Sequence, residues 1–551
     1  MAIKIGVDTG GTFSDFMLMD GDTLVIHKVL STPDNPARAV LQGLRHLRPD
    51  LTGVDVVHGS TVATNALLER KGARTALITT RGFEDVLEIG RQTRPHLYDP
   101  FVRKQPPLVP ARLRFGVAER LAYNGEVLTA LTEHEIDTVL ERVRRSGAES
   151  LAICLLHAYA NPVHEQALTQ AAVRLQIPVS ASHQILPEFR EYERCSTTVV
   201  NAYLRPVMQR YLQTLATELQ GARLSVMRSN GGVMSAARAH QEAVHTVLSG
   251  PAGGVVGAFR VAREAGYARA ITFDMGGTST DVALCDEQLR TTNETIVAGC
   301  PVKVPVLDIH TVGAGGGSLA HLDPGGALRV GPQSAGADPG PVCYGKGTGV
   351  TVTDANLYLG RLHPRWFLGG QMQLDVARAR EAVVGFAHRV HMSPEAACEG
   401  ILEVVNANME GAIRVISVER GHDPREFALV SFGGAGGMHA ADLARHLSIP
   451  TVLVPANPGI LSAFGMLITD YVQEYAQTVL VPATAFTPER AAVAFGELEE
   501  RGRQAMRDEG VAPQDVQMSR FLDMSYVGQS FELLVPYIPN FIDEFHRRHD
   551  M

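Results

Sequence analysis

Five chemistry-bearing residues recur in this chain at identical spacing. Asp8, Gly10, Gly11, Thr12 and Asp15 of "GVDTGGTFSDF" match Asp274, Gly276, Gly277, Thr278 and Asp281 of "FDMGGTSTDVAL". Consecutive glycines let backbone N–H groups converge on one concavity, which suits an anion, and the threonines add hydroxyl donors. An acid at the strand end would repel a bare phosphate. Hydrated Mg²⁺ reconciles the two, because it takes carboxylates and phosphate oxygens and keeps several waters. Two such turns facing one another would clamp a nucleoside triphosphate from both sides. One glycine-rich hairpin is commonplace; a repeat of five matched positions points to two related halves.

A third glycine cluster lies late in the chain. In "LVSFGGAGGMHA" a strand runs into Gly433, Gly434, Ala435, Gly436 and Gly437 before a helix begins. Such a turn brings backbone close to a ligand and offers helix N–H groups. Other residues are candidates by type and place. His58 ends a strand in "VVHGSTVATN" and could face the cleft. Arg91 and Arg94 in "GRQTRPHLYD" suit a substrate carboxylate or imide. Asp308 and His310 share one side of a strand, too few for a metal site. Gly313 to Gly317, including Gly315 and Gly316, are expected to line the nucleotide cleft, with Asp338 in the neighbouring loop beside substrate or Mg²⁺. Gly250, Gly253, Gly254 and Gly257 read as packing residues where two helices cross at a hinge. Asn406 and Asn408 are candidates to face the cleft.

Strands alternate with helices around these motifs. "IKIGVD" and "FSDFMLMD" read as strands, "GDTLVIHKV" follows a Gly-Asp turn, and "PARAVLQGLRHL" has helical spacing. "LTEHEIDTVLERVRRSG" is an amphipathic helix ahead of the apolar strand "SLAICLLHAY". The pattern implies α/β layers around a mixed or parallel sheet. Pro206 is expected to break the long helical run that starts at residue 188, or to open a new first turn. The last stretch reads as a helix followed by the β-hairpin "SRFLDMSYVGQSFELLVPY".

With 551 residues, 45% hydrophobic and 20% charged, the chain can bury the cores of two or three domains. A net charge of −9 without a long basic run argues against nucleic acid or an anionic membrane as partner. There is no apolar run of bilayer-spanning length and no signal-peptide pattern at the start, so a cytoplasmic setting is expected. The six cysteines are spaced for neither a zinc knuckle nor a CxxC pair and read as reduced core residues.

The paired hairpins followed by a glycine turn resemble the actin, hexokinase and chaperone ATPase superfamily. That likeness implies an α/β fold with two ribonuclease-H-like lobes. The resemblance narrows with "HGSTVATNALLERKGARTALITTRGFEDVLEIGRQTRPHLYD", "SNGGVMS", "TVLSGPAGGVVGA", "VGAGGGSLA", "GPQSAGADPGPVCYGKG" and "TVTDANLYLGRL". In this order the blocks resemble the A-type, ATP-binding component of the hydantoinase/oxoprolinase family. The resemblance implies an N-terminal lobe over 1–183, a core lobe over 184–480 and a small α+β C-terminal domain over 485–551. Family members continue past "FHRRHD", which implies a truncated final domain. It further implies ATP and Mg²⁺ as cofactors and a B-type partner in a hetero-oligomer. The expected activity is opening of a small cyclic amide, of hydantoin or 5-oxoproline type, by phosphorylation of its amide oxygen. On this reading Asp8 and Asp274 hold Mg²⁺ through water, and Thr9 to Thr12 with Gly276 to Thr278 bind the β- and γ-phosphates. Gly433 to Gly437 contact adenosine, His58 joins the catalytic group, and Asp15 and Asp281 tie the hairpins. The alternatives are the nucleotide-binding subunit of a ketone carboxylase and an ATP-gated binding module.

Overall fold

A computed structural model describes the chain apart from residues 1–2, 11–12, 33–34, 94–97, 100, 102–103, 371 and 551. It divides into two compact units, each assembled from two stretches: Met1–Thr75 with Val199–Asp470, and Ala76–Thr198 with Tyr471–Met551. These compact units cut across the contiguous segments 1–183, 184–480 and 485–551. The reason is strand pairing: Asp55–Ser60 pairs in parallel with Arg223–Met227, so the first sheet closes across a long excursion of chain.

The first unit holds two sheets. In the first, β1 (Lys4–Thr9), β2 (Phe13–Asp20) and β3 (Thr23–Leu30) form an antiparallel meander. Gly21, at φ +58°, permits the two-residue turn between β2 and β3 and so sets their register. On the other side of β1 lie β4 (Asp55–Ser60) and β5 (Arg223–Met227), both parallel to it, and then the short antiparallel β6 (Val233–Ser235). The sheet order is β6-β5-β4-β1-β2-β3. The second sheet comprises β7 (Arg269–Met275), β8 (Thr280–Asp286), β9 (Ile309–Val312), β10 (Ala428–Phe432) and β11 (Thr451–Leu453), in order β9-β8-β7-β10-β11. Its pairings repeat those of the first: β7–β8 and β8–β9 antiparallel, β7–β10 and β10–β11 parallel. From the meander edge, both sheets run third, second, first, fourth, fifth strand, with the second strand alone reversed.

Five helices bear on the site: α1 (Pro36–Leu47), α2 (Glu191–Glu218), α3 (Ser249–Glu264), α4 (Pro394–Ile416) and α5 (Leu461–Ile468). Pro206 does not interrupt α2, which is continuous for 28 residues. Proline removes one helix donor, but Val199, Val200, Ala202, Leu204, Met208 and Leu212 are all buried and hold the turns on either side. In α4, Ser393 caps the N-terminus by accepting from the Ala396 N–H, and Pro394 occupies the first turn. Its apolar face packs with Ile271, Phe273 and Met275 of β7 in one core.

Helix α5 joins the cores beneath the two sheets. Ala463 and Leu467 pack with Met17 of β2, while Leu461 packs with Val430 and Phe432 of β10. The approach is too close for side chains. A Cβ at Gly6 of β1 would lie 2.1 Å from the Ala463 carbonyl oxygen, and one at Gly465 would lie 1.8 Å from the Gly253 carbonyl oxygen. Gly253 and Gly257 of α3 meet the Ser462 and Leu461 carbonyls in the same way, at 2.9 and 2.7 Å. The packing role read for these glycines is what the geometry gives.

The second unit has a four-stranded sheet in the order Val179–Ala181, Ser150–Cys154, Thr75–Thr80, Arg114–Val117. Helices Glu133–Ser146 and Val163–Ala172 contribute to its core through Ile136, Val139, Leu140 and Leu168. Its later stretch has the expected helix, Pro488–Asp508, and hairpin, Phe521–Met524 with Leu533–Pro536, around Phe486, Phe495, Val535 and Phe541. Among the described residues no helix is long and apolar enough to cross a membrane.

The α3–α5 crossing separates two kinds of helical glycine. Gly465→Ala should cost about 3 kcal/mol or more, since backbone rather than a movable side chain blocks the methyl. Gly411→Ala, at an exposed position of α4 with open space around it, should gain about 0.5–1 kcal/mol. Urea titration of the two variants checks the opposite signs.

Candidate active site

Each hairpin sets two acids face to face. The β1–β2 register puts Asp8 opposite Asp15, and the β7–β8 register puts Asp274 opposite Asp281. The turns close alike: Gly10 donates to the Phe13 carbonyl and Gly276 to the Ser279 carbonyl, both at 3.0 Å. Nothing lies within 4 Å of where a Cβ would stand on Gly277, so that part of the turn faces open space. Thr9 Oγ1 is buried without a hydrogen-bond partner. Gly11 and Thr12 lie outside the described residues, as does Arg94.

The late glycine turn is built against the second hairpin. Gly433, at φ +81°, abuts Asp274 so closely that a Cβ would lie 2.3 Å from its Oδ1. Ala435 donates to the Met275 carbonyl at 2.9 Å, and Gly433 to the Pro458 carbonyl at 3.0 Å. Gly434 and Gly437 look onto open space, whereas Gly436 packs on Ser431. Gly315 and Gly316 stand elsewhere than expected. The N–H groups of Gly315, Gly316 and Gly317 go to Ser318 Oγ and the carbonyls of Gly276 and Gly277, and Thr353 caps the Gly316 carbonyl. Their donors are consumed in bracing the hairpin, so these two glycines support the turn from behind.

Like charges directly opposite one another destabilise a sheet pair, and here two such pairs meet. Burial pushes Asp8 up to about 7, Asp15 adds to the rise, and Lys28 and a hydrogen bond from Ser462 oppose it. Asp274 is raised well above the usual carboxylate range by burial, then by Asp281, Asp8 and Asp15. Asp274 thus senses both acids of the other hairpin, which puts all four carboxyls in one electrostatic neighbourhood. Asp15 and Asp281 are raised by burial too, eased by Lys28 and by Thr311 respectively. Lys28 Nζ lies 2.7 Å from Asp15 Oδ1. Thr311 Oγ1 donates to Asp281 at 2.5 Å. The first turn of α3 also reaches the cluster, with Gly250 Cβ space 3.7 Å from Asp8 Oδ1, so Gly250 adjoins the site as well as the helix crossing.

Among the described residues no group of three or more His, Cys, Asp or Glu is arranged to bind a metal directly. The donor set does suit a cation held through water: raised acids, an open glycine turn and the orphaned Thr9 hydroxyl.

His58 is not available for catalysis. Its ring is fully buried, with Nδ1 3.2 Å from the Val7 carbonyl and Nε2 2.6 Å from the Tyr211 hydroxyl. Burial pushes it down to about 4, so it is a neutral strut beneath β1. Arg91 belongs to the second unit and makes a two-pronged bond to buried Glu193, at 2.7 and 2.6 Å. Asp338 is exposed and pairs with Lys346 at 3.2 Å. Asp308 bonds Arg420, and Asn406 accepts from the buried His439 ring at 2.7 Å; Asn408 reaches the Val330 carbonyl. Motif spacing does not reveal Lys28, Ser462 or Thr311. Lys28 and Asp15 are cross-strand partners, a relation that counting back from the Gly21-Asp22 turn would have found.

Two family models match the chain: Hydantoinase/oxoprolinase over residues 194–475 and Hydantoinase/oxoprolinase N-terminal region over residues 4–175. The chain belongs to the hydantoinase/oxoprolinase family. Caprolactamase subunit alpha of Pseudomonas jessenii is 38% identical over 99% of the chain and 83% of its own length. The 5-oxoprolinase of Saccharomyces cerevisiae is 33% identical over 97% of the chain, which spans 46% of that longer protein. Acetophenone carboxylase gamma subunit of Aromatoleum aromaticum is 34% identical over 96% of the chain and 77% of its own length. Among solved structures, ATP-dependent caprolactamase from Pseudomonas jessenii superposes with a TM-score of 0.89 at 36% identity, covering 99% of this chain and 84% of that one. Nucleotide-free acetone carboxylase superposes with a TM-score of 0.79 at 30% identity, covering 100% and 83%. The family likeness read from the sequence blocks is borne out.

Folded Asp8 holds its proton up to about pH 7, whereas an unfolded aspartate loses it near 4. The folded form is then progressively disfavoured as pH rises from about 4 to about 7, and the full cost persists above that. Asp8→Asn removes the cost. Without nucleotide, the melting temperature of D8N relative to wild type should climb between pH 5 and pH 8; scanning calorimetry reads it, and a constant offset would contradict the assignment.

Proposed function

We propose that this chain is the nucleotide-binding component of an ATP-dependent cyclic-amide hydrolase. The observation that carries the reading is the repeat itself: Asp8 opposite Asp15 and Asp274 opposite Asp281, in hairpins that open two sheets of the same strand order. The repeated strand order supports two ribonuclease-H-like lobes of the actin type, with one phosphate hairpin from each. Asp8 and Asp274 would hold Mg²⁺ through water, and the ion would neutralise phosphate charge. Thr9, Gly10, Gly276, Gly277 and Thr278 would present backbone and hydroxyl donors to the β- and γ-phosphates, and Gly434 and Gly437 would leave room for adenosine. Bound ATP would supply a phosphoryl group for the amide oxygen, ending the nitrogen donation that makes such rings slow to hydrolyse.

The chain's own contribution is placement and charge rather than a covalent nucleophile. Its buried acids are only partly compensated by Lys28, Ser462 and Thr311, so they would favour the metal-bound triphosphate over the free one. The substrate would be a small lactam, as the names of the caprolactamase and the 5-oxoprolinase suggest. The terms subunit alpha and gamma subunit among relatives support a hetero-oligomer with a B-type partner, in a cytoplasmic setting. A ketone carboxylase subunit is the second reading, favoured by the fold likeness to acetone carboxylase. The higher TM-score of the caprolactamase favours the first.

The chain, co-purified with the product of a neighbouring B-type reading frame, should release ADP on addition of caprolactam, 5-oxoproline or hydantoin and open the ring. Asp274→Asn should lower that coupled rate by about 100-fold or more. Release of ADP only with bicarbonate plus a ketone would move the assignment to carboxylation. ATP uptake with neither chemistry would leave a binding module.

A further inference from the structure

One lysine ties the first hairpin to the segment that serves both hairpins. Lys28 stands opposite Asp15 on β3, two strands from Asp8. Its ammonium lies 2.7 Å from Asp15, 3.5 Å from the Gly459 carbonyl, and 5.0 Å from the centre of the Phe13 ring. Gly459 belongs to the short turn that leads into α5. That turn is already committed beside the second hairpin, where the Pro458 carbonyl accepts from Gly433 next to Asp274, and Ser462 just after it is among the groups that hold Asp8 down. Residues 457–462 therefore adjoin the first hairpin, the late glycine turn that abuts the second hairpin, and Lys28.

The internal repeat separates folding from function at this place. In the second sheet the position matching Lys28 is Thr311, which faces Asp281 in the same register and bonds it through a hydroxyl. The second hairpin keeps its topology and its turn without a cation there. A threonine is thus enough to build the hairpin, and the lysine needs another reason. Its reach exceeds Asp15 by one bond, to the Gly459 carbonyl, which no threonine at the end of β3 could make.

We propose that Lys28 is a positioning residue for the nucleotide: its ammonium bridges Asp15 and Gly459 so that the first hairpin and segment 457–462 close as one body when a metal-bound triphosphate enters. The inference rests on the nucleotide-binding reading of the paired hairpins. Lys28 touches no phosphate in this arrangement; it acts through Asp15 and through the turn that aims Ser462 at Asp8.

The test is calorimetric titration and hydrogen exchange on the full chain with magnesium and adenylyl-imidodiphosphate, a triphosphate that cannot be hydrolysed. Wild type should bind and should gain protection at residues 457–462. Lys28→Thr, which imports the second half's residue, and Lys28→Met should weaken binding about tenfold or more and lose that protection. Lys28→Arg should restore the protection and bring the affinity to within about threefold of wild type, since it keeps the charge and the reach. If K28T binds and protects as wild type does, the proposal falls; a K28R as defective as K28T also overturns it. Should K28T melt well below wild type, the K28R protection pattern decides alone. Failure of wild type to bind would sink the nucleotide reading and this inference together, whereas wild-type binding unchanged in K28T sinks only the inference.

Discussion

Four carboxyl groups crowd the mouths of two hairpins, and the cost of burying them side by side is the constraint around which the first unit is organised. Each pair is imposed by antiparallel register, which leaves the opposed residues no freedom to separate. Burial raises the cost of ionising each of them, and at Asp274 the three other acids, Asp281, Asp8 and Asp15, add to it. The fold opposes this with Lys28, Ser462 and Thr311 and leaves the remainder uncompensated. On the proposed reading a metal-bound triphosphate would relieve that cost, and without one it weighs against stability.

The glycines of α3 and α5 serve the same end by different physics. They let one helix pass within backbone contact of β1 and of α3, so the two sheets share a bearing. Ser462 lies in the first turn of that helix and Gly459 in the short turn before it, so the same segment adjoins the first hairpin and the late glycine turn. The backbone packs directly on backbone there, with no side chain between the helix and either neighbour. The braced loop Gly315–Gly317 has the complementary role: it uses its donors to hold the second turn in shape.

Much of this is legible in the chain. The strand assignments around Asp8 and Asp274, the Gly-Asp turn, the late glycine turn and the helix crossing all follow from local spacing and steric need, and the family blocks carry the assignment to relatives that use ATP. The failures have a common cause. His58 reads as facing a cleft because it ends a strand, but its partners, the Val7 carbonyl on the adjacent strand and the Tyr211 hydroxyl from α2, are 51 and 153 residues away. Arg91 reads as a substrate contact, yet its partner Glu193 is a hundred residues downstream and buried. Gly315 and Gly316 read as ligand-facing, but whether a glycine N–H is free depends on which carbonyl the fold brings opposite. Pro206 reads as a break because local propensity has no knowledge of the core that holds α2 straight.

What the sequence alone determined is the duplicated hairpin, its acids and glycines, because these depend on residues within a turn of each other and on backbone freedom that only glycine has. What tertiary structure decided is charge and access: which acid is paired with a lysine and which with a threonine, and which donors remain open. Those are set by contacts between segments hundreds of residues apart, and burial, which no local window contains, sets the strength of every one of them.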